Sequence, residues 1–167
     1  MRNATVYRNL VLPLLFATVG CVSVNVGTNH SVKRAKDVAY RAPSAPFAEE
    51  SRPEVDAVWK NPRNGNVISF VSDCQDPSDP PLDSIVQGVL VGLAELNYDS
   101  KQTVTVQGRE GRRVKASGKV DGVPTSVDML AFKRNHCIYI LNYLGVKESV
   151  KDDQDAFNRF IEGFRAP

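Results

Sequence analysis

Cysteines carry the most specific chemistry in this chain of 167 residues, and there are three of them, Cys21, Cys74 and Cys137. In an oxidising compartment, Cys74 and Cys137 read as one disulfide. Two free buried thiols, or a metal or redox site, are the alternatives. A bridge would close a long loop and stabilise by about 4 kcal/mol in the chain-entropy picture. His136 beside Cys137 suggests zinc, but no second Cys or His stands at ligand spacing. Asp73, Asp76, Asp79 and Asp83 bunch around one loop. A hard cation needs several oxygens converging on it; helix capping and a solvated loop compete for the same acids. Arg109, Arg112, Arg113, Lys115 and Lys119, with Lys133 and Arg134 on the following turns, read as one basic edge. It is a possible contact surface for anionic headgroups or an acidic partner, or else a solvated face whose lysines block strand addition. His30 falls outside the folded part, which leaves His136 alone there. There is no Gly-x-Ser-x-Gly elbow, His-Glu-x-x-His pair, phosphate loop or dinucleotide fingerprint. The expectation is therefore no enzyme, no catalytic residue, no metal and no cofactor, with an enzyme using scattered carboxylates as the minor alternative.

The remaining cysteine sits at the end of an apolar run. Arg2 and Arg8 precede Leu10 to Val19, and no acid appears before Asp37. The run is about half the ~20 residues that a spanning helix needs. It ends in Thr18-Val19-Gly20-Cys21. This resembles the lipobox of bacterial lipoproteins, with Thr18 where an aliphatic residue is usual. The resemblance implies that residues 1–20 are a signal peptide and that the Cys21 thiol is acylated, with palmitate a typical chain. An ordinary secretory signal and a spanning helix are the alternatives. One acyl chain holds a protein weakly and more than one holds it stably, and lipoproteins of this kind carry three. Val22 rather than Asp follows the cysteine, which points to the outer membrane, periplasm-facing, with the inner membrane and cell surface left open.

The formal net charge of +2 is too small to argue for nucleic acid. Residues 21–52 are polar, with Pro43 and Pro46 and no sustained apolar period, and read as the lipidated cysteine and a flexible tether. Residues 53–167 read as one folded domain. Val55 to Lys60 and Val67 to Val71 suggest a hairpin, with Asn64-Gly65 suiting a type I′ turn. Leu82, Ile85, Val86, Val89, Leu90, Leu93 and Leu96 fall at helical spacing. Asp79 reads as a cap, Asn97 as a stop, and Gly88 and Gly92 as positions of close approach to a sheet. From Gln102 the period becomes two, through strands ending near Val106, Val120, Phe132 and Leu144, with Asp121-Gly122 a strong hairpin signal. Phe157, Phe160, Ile161 and Phe164 mark a last helix behind Asp152, Asp153 and Asp155. The expected class is α+β, a largely antiparallel sheet of about six strands with helices packed on it.

That order, with Trp59-Lys60-Asn61-Pro62, Gly65-Asn66, Ile68-Ser69 and the Asp121-Gly122 hairpin, resembles the PsbP-like α/β/α sandwich over about Val55 to Phe164. The resemblance implies a non-enzymatic domain that docks on, or helps assemble, a larger complex. It implies no catalytic residue. The reading is thus an envelope lipoprotein acting as accessory or adapter subunit for an envelope protein complex. A small-ligand or lipid carrier, with an apolar pocket between the first helix and the sheet, is the alternative.

Overall fold

The computed structural model describes residues 32–75 and 78–167. The expected signal segment, Cys21 and Asp76 lie outside the described residues. Within them the chain forms β1 (Ala48–Glu50), β2 (Ala57–Lys60), β3 (Val67–Asp73), α1 (Leu82–Leu90), β4 (Ala94–Val106), β5 (Arg109–Val120), β6 (Val123–Arg134) and β7 (Cys137–Val146). A 3-10 turn (Val150–Asp153) and α2 (Gln154–Gly163) follow. The strands make a seven-stranded antiparallel sheet in the order β1-β2-β3-β7-β6-β5-β4. This corrects the expected α/β/α sandwich of about six strands. Among the described residues the α-helices number two, of nine and ten residues. They are short pieces set against a dominant sheet, not helical layers enclosing it.

Turn chemistry explains the meander. Gln107-Gly108, Asp121-Gly122 and Asn135-His136 each hold two successive residues at positive φ. Such pairs build two-residue type I′ hairpins, whose twist matches that of the strands they join. Each pair sits between closed ladder partners: Val106 with Arg109, Val120 with Val123, and Arg134 with Cys137. The β2–β3 connection is different. Only Gly65 of Asn64-Gly65 has positive φ, and the loop closes instead through Asn61 N to Asn66 O at 2.8 Å.

Apolar residues divide by strand parity onto the two faces. Phe157, Phe160 and Phe164 pack with Trp59, Phe70, Leu130, Phe132, Tyr139, Leu141 and Tyr143 on one face. Val86 and Leu90 of α1 pack with Val114, Ala116, Val127, Met129 and Ala131 on the other. Only these first turns of the expected helix are helical. α1 ends at Leu90 and the chain re-emerges as β4, so Leu93 and Asn97 are neither helix core nor helix stop. Gly88 and Gly92 have open space where a Cβ would stand, so the expected close approach is not theirs. It belongs to Gly118, where a Cβ would lie 2.7 Å from the Ala94 carbonyl oxygen. β4 is a long edge strand, and register shifts at Ala94/Asn97 and Tyr98/Ser100 break its regularity. Bulges of this kind protect an edge against pairing with other chains.

The expected tether also ends earlier than Arg52. The compact unit runs from Ser31 to Pro167. Ala39 bridges Arg165, β1 pairs β2, and Phe47 is buried. Tyr40 stands edge-on to Trp59, Phe70 and Phe160. A few anchors fix a segment whose average composition is polar.

Candidate functional site

Asp73 pairs with Ile138 in the β3–β7 ladder. The next positions outward are Cys74 and Cys137, and they are joined by a disulfide with Cα atoms 4.0 Å apart. The bridge forms part of an open groove of about 720 Å³, with Asp79, Arg109, Lys133, Arg134 and His136 also on its walls.

The expected basic edge is divided. Arg113 opposes Leu130 and Lys115 opposes Asp128, which places them on the α2 side. Arg109 and Lys119 share their parity. Arg112 opposes Ala131 on the α1 side, and Lys133 shares the parity of Ala131. Nearly all of these cations are already engaged. Arg112 meets Asp83 at 2.9 Å and hydrogen-bonds Thr103. Arg113 and Lys115 meet Asp128, Lys119 meets Glu95, and Lys133 meets Asp79 at 2.6 Å. Arg134 donates to the backbone oxygens of Gln107 and Pro167. The Arg109 side chain has no hydrogen-bond or ion-pair partner among the described residues. Of the acidic loop, Asp79 pairs with Lys133 instead of capping α1, whose start has no side-chain cap. Asp83 is held below its usual pKa by its hydrogen bond to Lys101 and by Arg112, against some desolvation.

Two polar anchors escaped the sequence reading. Asp128 is 2% exposed. It accepts from Arg113 Nε and Nη2 at 3.1 and 2.8 Å and from Gln154 Nε2 at 2.8 Å. Arg113 also donates to Asn158, so β5 and β6 both hold α2. The second anchor is Asp153, which accepts from the side chains of Asn61, Asn64 and Asn66 at 2.8–2.9 Å. Asn66 also donates to the Tyr143 phenol, which donates to Val150 O. The Trp-Lys-Asn-Pro…Gly-Asn stretch therefore clamps the start of α2. Only a clue of composition, three Asn in six residues, pointed to it. Burial raises the Asp153 pKa, and the three amide donors outweigh that and lower it below 3.8. Its stabilisation is complete above the unfolded value and is lost as pH falls through the lowered folded value. Asp153→Ala is expected to cost about 1.5–3 kcal/mol near neutral pH, and urea titration at pH 7 and pH 3 should show that difference shrinking at the lower pH.

An apolar patch was missed as well. Ala116, Val127 and Leu144 belong to the α1-side cluster. Tyr98 opposes Ala116, Val120 and Val123 oppose each other at an even spacing from Ala116 and Val127, and Val146 lies two on from Leu144. All four therefore share the α1 face, and all four are exposed. Val91, just past α1, is 84% exposed. The Val-Asp-Gly-Val hairpin tip was the available signal, since turn flanks facing solvent are usually polar.

No family model and no curated protein matches the sequence. Solved structures match its fold. Cyanobacterial PsbP from Synechocystis is 12% identical with a TM-score of 0.54, covering 89% of this chain and 98% of that one. LpqN, described as involved in cell envelope biogenesis of Mycobacterium tuberculosis, is 14% identical with a TM-score of 0.50, covering 81% and 82%. A protein of Bacteroides thetaiotaomicron is 13% identical with a TM-score of 0.51, covering 78% of this chain and 45% of that one. The likeness is one of fold and supports the PsbP-like resemblance at that level.

Proposed function

We propose that this chain is an outer-membrane lipoprotein, acylated at Cys21 and facing the periplasm, whose domain is a non-enzymatic accessory subunit of an envelope protein complex. The observation that carries the docking role is the set of exposed apolar residues Tyr98, Val120, Val123 and Val146 on the α1 face, with the exposed Val91 at the end of α1, beside a filled core. Exposed apolar groups gathered on one face mark an interaction site. The carrier alternative needs an apolar pocket between α1 and the sheet, and that space is occupied by Val86, Leu90, Val114, Ala116 and Met129, each at most 1% exposed. The fold shared with a cell-envelope protein is consistent with this setting. The lipid supplies local concentration, so a modest docking surface suffices.

Val91→Glu with Val123→Glu tests it. Both positions are on the surface, so stability should move within about 0.5 kcal/mol. Comigration of the protein with its complex on native gels should be lost. Unchanged comigration in a stably folded double variant would contradict the proposed docking face.

A further inference from the structure

We propose that the groove beside the Cys74–Cys137 bridge seats the phosphates of anionic lipid headgroups, so that this end of the domain rests on the bilayer. The inference deepens the tethered reading and rests on it for the position of the membrane.

The path of the chain is the first argument. It joins the domain at this end, where Cys74 N donates to Lys33 O and Ala35 N donates to Ser72 Oγ, both at 2.8 Å. From Cys21 to Lys33 even a fully extended chain spans only roughly 40 Å. An acylated Cys21 therefore keeps the groove end of the domain within that distance of the headgroups.

The groove itself is the second. Arg109, Lys133, Arg134 and His136 line it, with Asp79 as the one acid on its wall among the described residues. Arg109 is exposed and its side chain has no partner among the described residues. Arg134 Nη1 donates to Gln107 O at 3.0 Å, which holds the guanidinium at the wall and leaves Nη2 without a partner there. Lys133 is paired, but its partner Asp79 has an 84% exposed side chain, and so open an ion pair exchanges readily for another anion. A guanidinium fixed as that of Arg134 is matches the oxygens of a phosphate.

The placement of the two surfaces is the third. β6 runs from the apolar hairpin tip at Val123 to Arg134 at the groove. Membrane contact at one end thus leaves the protein-docking patch at the other end free.

Residues 31–167 hold both apolar clusters and the disulfide in one compact unit, so this piece serves for the test. It is cosedimented with vesicles of phosphatidylglycerol and phosphatidylcholine, and with vesicles of phosphatidylcholine alone. Binding is expected on the anionic vesicles and should weaken as salt shortens the screening length. Arg109→Gln should lower the partition coefficient about five-fold, as for one basic residue at a charged surface. Lys147→Gln, the same charge change beyond β7 at the far end, should leave it within about two-fold. Equal losses from the two variants, or equal binding to both vesicle types, would overturn the proposal. Palmitate incorporation at Cys21 is a separate readout. Its failure would remove the tether without altering the vesicle result, and the vesicle result can fail with labelling intact.

Discussion

Phe160→Ala should lower the unfolding free energy by about 3–5 kcal/mol. The ring is 1% exposed. Its centroid lies 5.4 Å from Trp59, 6.0 Å from Phe164 and 6.1 Å from Tyr40. It therefore joins three pieces of chain: α2, the first hairpin and the segment that precedes β1. Truncation leaves a cavity that the flat rings around it cannot collapse to fill, and the cost includes those lost contacts as well as the transfer term. Against a total of about 5–15 kcal/mol for a domain, this is a large fraction. Trp59 is the only tryptophan, so its fluorescence in a urea titration reports the change directly. A loss under about 1 kcal/mol would mean that α2 is not held on the sheet as described.

Replacing both bridged cysteines by serine should cost about 4 kcal/mol, because the bridge closes a 63-residue separation. The loop it closes contains the first helix and three strands, β4 to β6. β3 and β7 keep their ladder beneath it, so the native fold should persist at low temperature with an earlier midpoint. Chemical denaturation of the double variant against the parent measures this. An unchanged midpoint would show that the seven ladder pairs between β3 and β7 already fix those ends.

Some of this was legible in the chain and some was not, for physical reasons. Asp121-Gly122 announced its hairpin because both residues tolerate positive φ, whereas Asn135-His136 adopts the same turn with a histidine that sequence rules do not favour there. The central position of β7 was readable because Cys137 to Leu144 is apolar on both faces, and it does lie between β3 and β6. The start of β4 was not readable. Leu93 and Leu96 continue the spacing of α1, and the bulges near Glu95 and Asp99 erase the period of two that would have signalled a strand. The earlier limit of the domain was hidden because Tyr40 and Phe47 are isolated anchors in a polar stretch. The basic cluster misled because β5 alternates Arg112 and Arg113 to opposite faces, and because Asp83, Asp128 and Glu95, which neutralise it, come from other elements. Pairing of that kind is a property of topology, and no local pattern records it.

A docking module should reach its partner through the α1-side patch and not through the opposite face. The direct measurement is photocrosslinking in intact cells, with the photoreactive residue placed at Val91 or Val123 and, as the comparison, at Glu162 on α2. The account predicts a discrete protein adduct from the two patch positions, identified by mass spectrometry, and none from the α2 position. Adducts with lipid alone from the patch, or the same protein adduct from all three positions, would contradict it.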